Sequence, residues 1–463
     1  MARAEALRLI VMKFGGTSVA DAERIRAAAE IVAARRERRP VVVVSALAGV
    51  TDLLLAAVAT ARRGDVEGLE PVLADLERRH RWALGGSLTD SARRHDLALE
   101  ITGAFDDLRQ RLRSVRILGE GTPRAVDAIL ALGELLGSRI VAAAFAESGL
   151  PAEWVDARRL VPTDDRFGAA EPDTALLAGR CEHLVRPLAA RGTIPVVGGF
   201  VGATTGGATT TLGRGGSDTS AAVIGAALEA QEIQIWTDVD GLMSADPRLV
   251  PAAHTVPRAS FAEAAELAFY GAKVLHPDSL APAVRLGIPV RVLNASRPGE
   301  AGTLIVDGDE PTRASPIVSV ASRGGVLSVR VLGRRLRADP EFAAGILGAL
   351  RARSLAPDLV VASEIGVHLV LRADVDAAAL ESELAAFGTV EMRERRAIVC
   401  VVGARLDDGS AREAVLSAIA AFHPELVSCG STGAGLAAVL PDERLGEAVR
   451  GLHRRFFERA HAS

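Results

Sequence analysis

Aromatic residues are scarce: one tyrosine, three tryptophans and twelve phenylalanines make up 3% of the 463 residues. Stacking platforms for nucleic acid need such rings, and a formal net charge of -4 gives no basic footprint, so nucleic acid is not an expected partner. Cysteine is rarer still. Cys181, Cys400 and Cys429 are an odd set without CxxC spacing, which excludes a disulfide framework and fits a reducing cytoplasm. No histidine or cysteine stands at metal-ligand spacing, so no protein-held metal is expected. No long apolar run precedes Lys13, and neither a signal peptide nor a membrane span is read. What is present is bulk hydrophobicity, 49% against 24% charged residues, over a length that suits roughly two to four domains.

Short apolar runs punctuated by glycine dominate the first 300 residues. Leu9–Met12 and the β-branched Val41–Val44 read as strands buried on both faces, as in parallel sheets. Leu150–Val155, Ile194–Val197, Ile233–Trp236 and Ile288–Leu293 read as further strands, the last of them closing the unit. A helix is expected from about Asp21, and residues 53–145 read as mostly helical. Strands alternating with helices predict a three-layer α/β domain with its ligands beyond the strands' carboxyl ends. A linker-like stretch at 296–311 follows, then an internal repeat with a period of ~70 residues. Leu327–Gly333 matches Ala397–Gly403, Leu359–Glu364 matches Leu426–Ser431, and Val367–Leu371 matches Leu436–Leu440. Each copy reads strand, helix, strand, strand, most of a ferredoxin-like unit.

Chemistry concentrates at the strand ends. Lys13-Phe14-Gly15-Gly16-Thr17-Ser18 sets a lysine beside glycines that let backbone approach a phosphate. A snorkelling lysine at an ordinary turn is the alternative; the segment is neither a Walker A loop nor GxGxxG. Gly213-Arg214-Gly215-Gly216-Ser217-Asp218 places a planar cation at an expected helix start, an arrangement that holds a small anion. Ser45 and Thr51 bracket a small-residue turn, as ligand hydroxyls or as helix caps. Glu134 lies in an apolar helical run, where a solvent-facing glutamate is the commoner outcome. Thr237-Asp238 and Asp246-Pro247-Arg248 suit a nucleotide edge or plain turn chemistry, and Lys273 stands in another small-residue segment.

Taken in order, Lys13–Ser18, Gly213–Asp218, Trp236–Gly241 and Gly271–Pro277 closely resemble the aspartate kinase family over nearly the whole chain. The resemblance implies the amino acid kinase fold, an α/β three-layer αβα sandwich, over residues 1–306. It implies two ferredoxin-like βαββαβ (ACT) regulatory domains at 315–390 and 391–463, with strand exchange between them allowed. With no dehydrogenase motifs present, the likeness is to the monofunctional, lysine-sensitive type. The implied reaction transfers the γ-phosphoryl of ATP, with Mg²⁺ on its phosphate oxygens, to the side-chain carboxylate of L-aspartate. This is the entry to lysine, diaminopimelate, threonine and methionine biosynthesis.

By the same resemblance Lys13 neutralises the transferred phosphoryl, and Gly15, Gly16 and Ser18 line its site. Arg214 grips the α-carboxylate of aspartate and Glu134 its α-ammonium. Ser45, Thr51, Gly215 and Ser217 complete the substrate contacts. Asp218 orients Lys13 and is not a base. Thr237, Asp238, Met243, Arg248, Lys273 and Val274 hold ATP, although Met243 replaces a frequent tyrosine. Val360, Ser363 and Glu364 mark an amino-acid effector pocket; Ala362 stands where lysine-sensitive relatives carry threonine. A dimer surface is the alternative for these three. A homodimer or higher homo-oligomer is expected. Another amino acid kinase of this fold, or an amino-acid sensor without catalysis, is the competing identity.

Overall fold

The computed structural model describes residues 8–271, 277–308, 315–333, 340–363, 365–404, 406–407, 409–430 and 432–458. They fall into two compact units. The first spans Met1–Leu242, Pro257–Phe261 and Lys273–Gly308; the second spans Met243–Val256, Ala262–Ala272 and Asp309–Ser463. Two segments inside the expected 1–306 domain, 243–256 and 262–272, thus group with the C-terminal unit.

The first unit contains β1 (Ile10–Phe14), β2 (Pro40–Val44), β3 (Ala152–Val155), β4 (Pro162–Thr163), β5 (Ile194–Gly198), β6 (Val201–Thr204), β7 (Thr209–Thr211), β8 (Glu232–Thr237), β9 (Arg258–Ser260), β10 (Val290–Asn294) and β11 (Thr303–Val306). Eight of these form one sheet in the order β3-β5-β2-β1-β8-β10-β11-β9, while β4, β6 and β7 form a small second sheet. The large sheet is parallel except between β10 and β11. β2 and β5 are buried throughout, as β-branched runs between two helical layers require. β1 is buried at every position but Lys13. The sheet does not close at 288–293 as the sequence predicts. β11 and the three-residue β9 extend it, and both are too short and mixed to show a strand pattern.

Five long helices, α1 (Ala22–Ala33), α2 (Val50–Arg62), α3 (Val66–Ser87), α4 (Ser91–Leu118) and α5 (Pro123–Glu147), carry the expected helical region. Asp21, Asp65, Asp90 and Thr122 cap α1, α3, α4 and α5 by accepting first-turn N–H groups. α2 differs, because its cap is Gly49 at φ 74°; Thr51 is therefore not a cap and lies within the first turn. α5 is long and apolar enough to cross a membrane by composition alone, yet 72% of that stretch is buried in the unit's core.

The second unit is built on β12 (Ile317–Gly333), β13 (Leu359–Ala362), β14 (Gly366–Arg372), β15 (Gly388–Gly403), β16 (Leu426–Cys429) and β17 (Gly435–Pro441). They form one antiparallel sheet in the order β13-β14-β12-β15-β17-β16. The fourth strand of the first copy follows it directly in the chain, whereas the second copy obtains its fourth strand from a segment that precedes the first. The start of β15 pairs with the end of β12 and completes the first βαββαβ set. Ile317–Arg323, the first half of β12, pairs with the end of β15 and completes the second. The boundary drawn at 390 falls inside β15. Separate apolar cores lie under the two halves, one around Val329, Leu350 and Leu369, the other around Val401, Ile419 and Leu440.

Candidate active site

β1 and β8 run parallel with Lys13 opposite Ile235, so the ends of both strands reach the same edge. There β1 delivers Lys13, and Gly16–Val19 turns as a short 3₁₀ segment. The Gly216–Ala227 helix starts against this edge with Gly215 as its cap at φ 66°, a left-handed conformation that suits glycine. Its first turn carries Asp218, an acid placed where the helix dipole favours it. Lys13 Nζ lies 2.7 Å from Asp218 Oδ1, and both side chains are only 12% exposed. Backbone crowding fixes this helix start: a Cβ on Gly199 would come within 2.7 Å of Ser217 Cβ.

A cavity of about 250 Å³ opens beside the ion pair, lined by Lys13, Ser45, Thr51, Glu134, Phe200, Gly213, Gly215, Gly216, Ser217 and Asp218. Seven of the predicted site residues thus meet in one place. Glu134 is 3% exposed, not the solvent-facing helix glutamate that base expectation favours. Burial pushes its carboxyl up to about 8, against the pull of the Ala46 N–H. Among the described residues its Oε2 has no hydrogen-bond partner, so an acid side chain is buried and half-satisfied in the wall of a cavity.

Other predicted residues stand elsewhere. Arg214, between two cavity glycines, is exposed and outside the lining. The Gly15 N–H donates to Trp236 O at 3.0 Å, so it is not a phosphate donor here; β1–β8 pairing extends one residue further and takes it. Ser18 is buried, its hydroxyl directed at the same carbonyl at 3.5 Å. Thr237 ends β8 and the exposed Asp238 follows it, with Thr237 Oγ1 donating to Asp238 Oδ1. Met243 and Arg248 belong to the second unit. The Met243 carbonyl accepts from Ser319, and Arg248, 88% exposed, forms a two-pronged pair with Asp246. Lys273 and Val274 lie outside the described residues. In the second unit Val360 is 43% exposed on β13, and Ser363 donates from its amide and hydroxyl to Gly366 O. Glu364 lies outside the described residues.

Sequence reasoning missed Phe200, Ser279 and Asp127. Phe200 forms a cavity wall at φ 62°, which no motif announces. Ser279 donates to Gly215 O at 3.2 Å. Asp127 is 1% exposed and accepts three hydrogen bonds, two of them at the strand leading into the Arg214 loop. An acid in an apolar helix, seven residues before Glu134, was the available signal.

The profile of the amino acid kinase family matches residues 8–294. Lysine-sensitive aspartokinase 3 of Escherichia coli is 34% identical over 97% of this chain and 99% of its own length. This chain belongs to the aspartokinase family. An aspartokinase transfers the γ-phosphoryl group of ATP to the side-chain carboxylate of L-aspartate, and the present enzyme does so. The crystal structure of E. coli aspartokinase III with lysine and aspartate superposes with a TM-score of 0.85 at 33% identity, covering 97% of this chain and 99% of that one. The same protein with aspartate and ADP gives 0.80 at 32% identity, covering 97% and 100%. These likenesses bear out the amino acid kinase fold of the aspartokinase, and the ADP complex supports ATP as its co-substrate.

Proposed function

We propose that the 250 Å³ cavity holds aspartate, with its α-ammonium on Glu134 and its α-carboxylate on Arg214. The observation that carries this reading is the Lys13–Asp218 pair at 2.7 Å in the same cavity as a buried, half-satisfied glutamate. The site offers two cations, Lys13 and Arg214, and two acids, Asp218 already engaged by Lys13 and Glu134 left for the substrate's ammonium. The acceptor carboxylate is ionised near neutral pH, so the site needs charge neutralisation and alignment, not a general base. Lys13 meets the phosphoryl group, and Asp218, engaged by Lys13, aims it. Ser45, Thr51 and Ser217 add hydroxyl contacts. In the free enzyme Arg214 extends into water and turns inward on the substrate carboxylate.

Gly16 and Ser18 are assigned to the phosphate side, and Thr237 and Asp238 to the nucleotide. Among the described residues no group of three His, Cys, Asp or Glu could hold a metal ion, and Asp218 is engaged by Lys13. Mg²⁺ is assigned to the phosphate oxygens of ATP, whose charge it neutralises. The lysine complex of the E. coli relative supports an amino-acid effector, lysine foremost, on the second unit near Val360 and Ser363. A homodimer and a cytoplasmic place in lysine, threonine and methionine biosynthesis complete the reading; the free thiols of Cys181, Cys400 and Cys429 agree with the compartment.

Aspartyl hydroxamate formation from aspartate, ATP, Mg²⁺ and hydroxylamine tests the activity. Titration with lysine, threonine and methionine in the same assay tests the effector. Lys13→Ala is expected to abolish turnover while the chain still folds, as circular dichroism would show; near-normal activity in that variant would refute the role of Lys13.

A further inference from the structure

We propose that Asp127 is the positioning residue that sets the enzyme's choice of substrate length, by tying the Arg214 loop to the helix that carries Glu134. The inference rests on the reading of Arg214 and Glu134 as the two grips on the amino-acid end of the substrate.

Asp127 lies in the second turn of α5 and is 1% exposed. Its Oδ2 accepts the N–H of Gly168 at 2.9 Å and the N–H of Thr211 at 2.9 Å. Its Oδ1 accepts the hydroxyl of Thr211 at 2.8 Å. Its buried oxygens are thus satisfied by two amides and a hydroxyl. Thr211 is held again on its other side, where its carbonyl accepts the N–H of Ala170 at 2.9 Å. The clamp extends to the next residues. Leu212 donates to Phe200 O at 2.9 Å, and Gly213 packs so closely on Gly168 that a Cβ would lie 3.2 Å from its carbonyl. Arg214 follows, and then the cap and first turn bearing Ser217 and Asp218.

Asp127 and Glu134 are seven residues apart on one helix, which puts them on the same face about 10 Å apart along its axis. α5 therefore holds one substrate grip directly and the other through the Asp127 carboxylate. The separation between the ammonium and carboxylate grips is set by this tether. That separation decides how far the substrate's side-chain carboxylate reaches toward Lys13. A four-carbon amino diacid is in register, and one with an added methylene is not. Loosening the tether relaxes that discrimination and leaves the nucleotide side alone.

The test is steady-state kinetics on the full-length enzyme with L-aspartate and L-glutamate, with folding checked by circular dichroism and melting temperature. Asp127→Asn places an amide against N–H donors. It is expected to raise the aspartate KM at least about tenfold, leave the ATP KM within about twofold, and cut the aspartate-over-glutamate ratio of kcat/KM about tenfold. Thr211→Val, which removes one of the three bonds and keeps the shape, is expected to give a smaller shift in the same direction; Thr211→Ser is expected to restore normal kinetics. Asp127→Asn combined with Arg214→Ala is expected to be no worse for aspartate than Arg214→Ala alone, since both act through one contact. If Asp127→Asn does not fold, the Thr211 pair carries the test. A raised aspartate KM in Arg214→Ala with normal values in Asp127→Asn and Thr211→Val overturns the tether. Equal shifts in both substrates' KM overturn it in favour of a purely structural role. An unchanged aspartate KM in Arg214→Ala overturns the underlying assignment of Arg214, and the proposal with it.

Discussion

Glu134 shows what the fold does to a single side chain. It is an acid in a run of leucines, and burial raises its carboxyl to about 8. At neutral pH the free enzyme therefore holds it largely protonated, and gripping an ammonium requires the proton to leave. Aspartate binding is expected to tighten as pH rises toward about 8 and to level off above it. A pH series of aspartate KM checks this, with Glu134→Gln weak and flat across the range. The same shift makes a stability prediction. The folded-state value lies above the ordinary carboxyl value of 4.5, so the contribution of the protonated form is complete below about 4.5 and is lost as pH rises through about 8. Glu134→Gln does not titrate. Its stability relative to the parent should grow with pH across that window, at up to about 1.4 kcal/mol per pH unit. Urea unfolding at pH 5, 6.5 and 8 measures it; a constant difference would mean that Glu134 is not the buried acid described here.

At the scale of elements, the site depends on how closely the β5–β6 corner approaches the start of the Gly216–Ala227 helix. Gly199 donates its N–H to Val44 O at 2.8 Å, and a Cβ there would lie 2.7–2.8 Å from three atoms of Ser217. Gly199→Ala is expected to push the helix start away from Lys13 and lower kcat by on the order of 10²-fold while the unit stays folded. Normal kcat in that variant would show that the helix start has room to spare. The strands and glycine turns of this corner were legible in the sequence because β-branched runs and Gly-Gly pairs have few other uses. The bonding of each amide was not. Gly15 reads as a phosphate donor in isolation, and only the β1–β8 register shows its N–H already taken by Trp236. Asp127 was legible only as an acid in an apolar helix: its partners lie 41 and 84 residues away, so no local spacing points to its role.

For each unit as a whole, connectivity is the property that a linear reading loses. The repeat in the second unit was visible from matching apolar runs, but the fourth strand of its second copy was not, because Ile317–Arg323 precedes the first copy and completes the second. β12 and β15 each serve both halves, so the halves share two strands although their apolar cores are distinct. Loss of either core must then loosen a strand on which the other depends, and the halves should unfold as one cooperative body. Leu440 is 1% exposed in the core of the second half, and Leu440→Ala is expected to cost roughly 2–5 kcal/mol. Hydrogen exchange in that variant should show matched losses of protection at β17 and at β14, which lies in the other half on the far side of β12. Faster exchange confined to β16 and β17 would mean that the shared strands do not couple the halves, and that each copy of the repeat is stable by itself.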